Sequence, residues 1–299
     1  MNLETTRARL SVIASMCIFG TIGLVRRYLP LPSGFLAMAR GLLGALFLCL
    51  LLRLRGKKLS RHSIRDNLVR LVFSGAMIGF NWILLFEAYR YTTVAIATLC
   101  YYMAPVFILI TVPFVLRERL TARKTLCILT ALLGVTLVSG VSAGGLAPGE
   151  WRGILCGLGA AALYACVVIL NKFIRYVPPM DKTIVQIGTA GAVLIPYVLL
   201  AEGLGGVRFT PVSVLLLLMA GLVHTGCAYA LYFSSMEALP AQSLALLSYL
   251  DPVIAILLSA LVLHEPMTPA QAVGAALVLC SAIVAELPER SNPHTESRT

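Results

Sequence analysis

The residues able to do chemistry are few, and they stand in apolar surroundings. Asp251 lies one residue before Pro252, near the middle of a long apolar run, and His224 lies in the run before it. Arg40 and Glu87 stand in two further runs. A charge on a membrane-buried helix costs at least about 2.5–3.5 kcal/mol on insertion scales, so such residues face a bundle interior or a wet cavity. Two roles suit Asp251: it binds a cationic group or a coupling proton, or it is a hydrogen-bonded cap on the break at Pro252. His224 suits either a proton relay or a hydrogen bond across helices. A single His with no second ligand at i+3 or i+4 makes no metal site. Arg40 and Glu87 fall at similar depths in their runs, counted at about 1.5 Å per residue. They are expected to form an ion pair near one face, structural or gating.

Proline and the deep aromatics add to this set. Proline lacks an N–H, so Pro105 and Pro252 are expected to free the carbonyls of Tyr101 and Ser248. A free carbonyl in hydrocarbon is costly unless something polar satisfies it. Each proline is therefore either a hinge beside a wet cavity or a kink that shapes packing. Asn81 and Trp82, Tyr101 and Tyr102, Tyr164, Tyr229 and Tyr232, and the group Gln242, Ser248 and Tyr249 could line such a cavity. Trp82, Tyr101, Tyr102 and Tyr249 lie too deep to be interface anchors. Singly, each suits ordinary packing; together, they suit a site for a solute of mixed apolar and polar character.

The elements that position these residues follow from composition. Of 299 residues, 59% are hydrophobic and 12% charged, and the mean hydropathy is +0.89. A soluble domain carries about a quarter charged residues, so the chain is not a soluble enzyme, a disordered protein or a nucleic-acid-binding domain. Apolar runs at 10–28, 33–52, 68–89, 93–116, 124–142, 153–171, 183–201, 212–234, 241–263 and 270–287 predict ten membrane spans. With the N-terminus inside, the inner segments hold 18 Lys and Arg and the outer segments 5 (Arg26, Arg27, Arg90, Arg152 and Arg208). That bias places both termini in the cytoplasm. The net charge of +11 is then mostly cytoplasmic loop, and the basic run at 53–70 an ordinary inner loop. The 8 Cys form no C-x-x-C pair and read as small buried hydrophobes. No Walker A, H-E-x-x-H or G-x-S-x-G motif occurs, so no cofactor and no metal are expected.

The chain repeats itself at an offset of 147 residues. Gly79 meets Gly226, Phe86 meets Phe233, Tyr102 meets Tyr249, Pro105 meets Pro252, Glu118 meets Glu265 and Thr121 meets Thr268. Two units of five spans follow, 1–145 and 146–290, with a tail at 291–299. Five is odd, so the second unit crosses the membrane inverted relative to the first. Inverted repeats are the mark of alternating-access transporters.

The segments 91–121 and 238–268 each show small residues, a Leu and Tyr, a mid-helix Pro and a Glu near the span end. On these the chain resembles the EamA-type transporters of the drug/metabolite transporter superfamily. The resemblance implies an all-α membrane protein of ten helices, with a central cavity lined by spans 1, 3, 4, 6, 8 and 9. It also implies secondary transport of small organic metabolites such as amino acids or amines, mostly as export across the cell membrane. The expected partners are a small-molecule substrate and the lipid bilayer, without nucleic acid; a homodimer stays open. A flippase of the same superfamily is the nearer alternative, and a membrane-embedded enzyme the more distant one.

Overall fold

Proline and polar caps divide the apolar runs into helices. A computed structural model describes residues 3–22, 25, 28–29, 31–92, 97, 100–117, 121–138, 149–262 and 268–286, and among them every regular element is helical. The first half holds α1 (Leu3–Gly20), α2 (Ser33–Leu54), the short α3 (Arg61–Asp66), α4 (Leu68–Tyr91), α5 (Ala104–Val115) and α6 (Ala122–Val138). The second half holds α7 (Glu150–Phe173), α8 (Pro179–Tyr197, extended by a π-helical turn Val198–Glu202) and α9 (Pro211–Met219). The chain of α9 runs on through a π segment (Ala220–Cys227) into α10 (Ala228–Ser235), and α11 (Ala241–Leu247), α12 (Leu250–Val262) and α13 (Pro269–Glu286) complete the fold. Pro179 and Pro211 sit at the first helical position, where the missing N–H costs nothing. Thr210 and Ser213 close a reciprocal capping box at the start of α9.

Among the described residues five helices are long and apolar enough to cross a bilayer: Ser33–Leu54, Leu68–Ala88, Glu150–Phe173, Pro179–Glu202 and Pro211–Ser235. Shorter apolar stretches are Ala104–Val115 and Ala272–Ser281. Large apolar side chains such as Leu46, Val69, Phe114, Leu133, Leu200 and Ile283 are exposed, as on a surface solvated by lipid rather than water. Arg26, Arg27, Glu118, Glu265 and the tail 291–299 lie outside the described residues.

The offset of 147 residues reappears in the helix bounds. Shifted by it, α1, α2, α4, α5 and α6 fall on α7, α8 with its π turn, the α9–α10 stretch, α12 and α13, to within a residue at most ends. The packing repeats in the same way. Helix α4 packs on α7 and α8, while their counterparts, the α9–α10 stretch, α1 and α2, make the matching contacts. Two counterpart pairs pack directly on each other, α2 on α8 and α6 on α13. Their seams are lined by glycine. A Cβ on Gly41 would lie 3.0 Å from the Gly191 Cα, and one on Gly134 would lie 2.6 Å from the Gly274 carbonyl oxygen. Such close approach is how helices attract where lipid removes the hydrophobic drive.

Two expectations change in the fold. Pro105 and Pro252 do not kink continuous helices: each stands in the first turn of a new one, α5 and α12, after breaks at 102–103 and 248–249. The Ser248 carbonyl, expected to be free, accepts the Asp251 N–H at 3.3 Å. The helix restarts before the proline, so the i+3 amide replaces the missing i+4 donor.

Candidate functional site

Helix breaks and π turns bring the deep polar residues together. Tyr101, Tyr102, Ser248 and Tyr249 flank the two breaks, and Asp251 lies in the first turn of α12. A helix N-terminus favours a negative group there. The Tyr102 side chain lies close to the Asp251 carboxyl. The two repeat-related tyrosines also meet: the Tyr249 hydroxyl donates to the Tyr102 carbonyl at 3.0 Å, with ring centres 6.3 Å apart.

From that point a chain of rings runs through the bundle. Tyr102 lies against Tyr101 and Tyr101 against Tyr164, at 6.0 and 5.9 Å. Tyr164 stacks on Tyr232 at 6.4 Å, and their hydroxyls are 2.5 Å apart. Tyr232 contacts Phe233, which meets Tyr229 edge-on at 5.3 Å. Tyr229 in turn touches Phe19 and Trp82, at 5.0 and 6.1 Å. All seven deep aromatics singled out in the sequence therefore belong to one connected array. Phe19 and Phe233 join it, which sequence reasoning missed, since a lone Phe in an apolar span carries no signal beyond packing.

Ser248 bonds back to the Leu244 carbonyl at 2.8 Å, and its hydroxyl faces the Tyr164–Tyr232 pair. Asn81 donates to the Ala160 carbonyl at 2.6 Å, joining α4 to α7. Gln242 is buried in α11. Between Ile78, Asn81, Tyr164, Val167, Tyr229 and Phe233 remains a void of about 10 Å³, room for roughly one water. The array is thus closed in this conformation.

His224 sits in the π segment with both ring nitrogens engaged. Nε2 is 2.7 Å from the Thr21 hydroxyl and Nδ1 is 3.2 Å from the Met219 carbonyl. The five-residue spacing to Met219 is the one a π turn creates, so this bond was invisible in the sequence. His224 fastens the end of α1 to the π segment.

The expected ion pair between Arg40 and Glu87 is not formed. Glu87 accepts from Arg90 at 2.9 and 3.2 Å and from the Tyr197 hydroxyl at 2.7 Å. Arg40 instead lays its guanidinium over Trp82, 4.4 Å from the ring centre. Trp82 and Glu87 lie on one helix five residues apart, about 7.5 Å along its axis, so a guanidinium over the ring is set apart from the carboxylate. Tyr101, Tyr229 and His224 are within electrostatic reach of Arg40, and Tyr101 and Tyr229 are also within reach of Asp251. Arg40 and Asp251 thus both act on the same two tyrosines.

Polar clusters close both ends of α8. At its start, buried Lys182 donates to Glu237 at 2.7 Å and to the Ile174 carbonyl at 3.1 Å, Lys172 donates to the Leu239 carbonyl, and Asp181 accepts the Ser60 N–H at 2.8 Å. At its end, Glu202 accepts the Gly34 and Phe35 N–H groups at 2.9 and 2.7 Å, capping α2. Midway, Ser74, Asn171 and Gln186 form a fully buried amide and hydroxyl knot of α4, α7 and α8, with bonds of 2.7 and 3.2 Å from Gln186. None of these was singled out from sequence, because most of the partners, such as Lys182 and Glu237 at 55 residues and Gly34 and Glu202 at 168, lie too far apart to leave a local pattern. Arg53, Lys57, Lys58 and Arg61 line an open cleft of about 880 Å³ beside Leu52 and Leu59. Among the described residues no three His, Cys, Asp or Glu converge to hold a metal ion.

Comparison with known proteins places this architecture. One solved structure, described only as a crystal structure of a protein, superposes with a TM-score of 0.83 over 94% of this chain and 96% of that one, at 22% identity. The uncharacterized transporter YxxF of Bacillus subtilis is 32% identical over 260 residues, covering 85% of this chain and 81% of its own. Protein PecM of Dickeya dadantii is 25% identical over 283 residues, covering 90% and 89%. The sequence pattern of the EamA-like transporter family matches twice, at residues 6–140 and 151–286. With its several apolar spanning helices, this is a multi-pass membrane protein, and the chain belongs to the EamA-like transporter family, a family of membrane transporters.

Proposed function

We propose that the protein is a secondary transporter that moves small organic metabolites, amino acids or amines among them, across the cell membrane by alternating access, in the direction of export. The observation that carries this reading is the 147-residue offset that recurs in the helix bounds and in their packing, with an aromatic array at two helix breaks. Ten spans, with the second unit inverted and both termini cytoplasmic, fit the basic loops and the odd number of helices per unit. The polar clusters at the two ends of α8 are placed to act as alternating seals, since a solute leaves the array only if one end opens. Asp251, Tyr101, Tyr102, Tyr164, Tyr229, Tyr249, Trp82, Asn81, Gln242, Ser248 and His224 form the solute path in this reading. Pro105 and Pro252 set its two joints.

The test is flux in proteoliposomes across a panel of amino acids, amines and nucleosides, with and without a pH gradient. Solute-dependent flux that Asp251→Asn lowers, together with any response to the gradient, is the expected result. Absence of flux for every solute sinks the reading.

A further inference from the structure

We propose that Arg40 is the docking point for a carboxylate carried by the transported solute, an inference that rests on the transporter reading above. A guanidinium stays charged at any physiological pH and carries five N–H donors. Among the described residues Arg40 makes no hydrogen bond to a protein acceptor, and its Nε is fully buried. Its guanidinium carbon lies 4.4 Å from the centre of the Trp82 ring. Other buried or interfacial cations are provided for: Lys182 has Glu237, Lys172 has the Leu239 carbonyl and Arg90 has Glu87. Acids on the surrounding helices have neighbours of their own. Glu87 serves Arg90 and Tyr197, Glu202 caps α2, and Asp251 faces Tyr102.

An always-charged group in the span region without an acceptor is costly, and a solute can supply what the protein withholds. The guanidinium carbon lies over the Trp82 ring, and the edge of a guanidinium binds a carboxylate side-on through two parallel N–H···O bonds. Trp82, Tyr229 and Phe19 add an aromatic wall beside it. A single cation balances one carboxylate, whereas a phosphate monoester near −2 at neutral pH would keep an unmatched charge. The solute class is thus an organic acid or zwitterion with one carboxylate and an apolar or aromatic body.

The test uses the full chain in detergent on a Trp151→Phe background. Trp82 is then the sole tryptophan, because the chain has two. Phenylacetate and phenylalanine are titrated against their amides, with inorganic phosphate and phosphatidate vesicles as competitors, and Trp82 emission is read. Acids are expected to bind about ten- to a hundredfold tighter than amides, the value of one charge-assisted pair. Arg40→Gln should erase that preference and Arg40→Lys keep part of it. Equal response to acids and amides, an acid preference that survives Arg40→Gln, or stronger competition by phosphate or phosphatidate each overturns the proposal. If Arg40→Gln does not fold, phenylglyoxal modification of Arg40, mapped by mass spectrometry, decides instead: acids must protect and amides must not. Flux measured in parallel separates the two readings. Transport without acid preference overturns the docking role alone, and acid-selective binding without flux overturns the transporter reading alone.

Discussion

Gly134→Ala should destabilise the protein while the chemically identical change Gly159→Ala does not. Both glycines lie inside helices, α6 and α7, where alanine gains up to about 1 kcal/mol in propensity. The added methyl meets different surroundings. At Gly134 it would lie 2.6 Å from the Gly274 carbonyl oxygen, 2.9 Å from the Val278 Cγ2 and 3.1 Å from the Leu277 Cβ. The first belongs to backbone and the third is fixed to it, so relief to the 3.4 Å of ordinary contact needs the α6–α13 seam to open by about 0.8 Å. Overpacking of this kind costs about 1–3 kcal/mol, which exceeds the propensity gain. At Gly159 the methyl meets only the Leu84 Cδ1, at 3.2 Å, the free end of a flexible side chain. The propensity gain then survives, and the two variants should differ by roughly 1–3 kcal/mol. At about 2 °C per kcal/mol for a chain of this size, thermal unfolding in one detergent should separate them by about 2–6 °C, Gly134→Ala the lower. A Gly134→Ala protein that melts at or above the wild type would refute the claim that α6 and α13 meet through backbone.

Three further outcomes follow from the polar clusters. Glu202→Ala removes two charge-assisted bonds from the start of α2 and should cost about 1–2 kcal/mol in a melting experiment, with Glu202→Gln losing less. In a double-mutant cycle of Lys182→Met and Glu237→Gln, coupling near 1 kcal/mol is expected, below the 3–5 kcal/mol of a fully buried pair, because the Glu237 side chain is 48% exposed; zero coupling would remove the pair as a seal. Tyr164→Phe and Tyr232→Phe each break the same hydroxyl bond and should cost about 1 kcal/mol, and the double variant should lose little more than either single one.

Periodic, short-range and repeated features of this protein were legible in its sequence. The apolar runs place the helices, because a backbone in hydrocarbon must satisfy its own hydrogen bonds. The offset linking Tyr102 to Tyr249 and Pro105 to Pro252 gives the two units, and the helix bounds then follow it. The aromatic set was also readable by depth, since Trp82, Tyr101, Tyr102 and Tyr249 lie too deep in their runs to be interface anchors.

Contacts between distant helices were decided only by the tertiary structure. Depth alone brought Arg40 level with Glu87, but depth says nothing of azimuth, and the fold turned one toward Trp82 and the other toward Arg90 and Tyr197. Spacing rules for α-helices hid the bond from His224 to Met219, because a π turn shifts the register by a residue. The Ser74–Asn171–Gln186 knot and the Lys182–Glu237 pair join residues that no local pattern relates. A helix positions side chains along its own axis from sequence alone, while which faces meet is fixed by close packing at positions such as Gly41 and Gly191. That the buried Arg40 Nε has no acceptor among the described residues, the observation behind its proposed docking role, emerged only there.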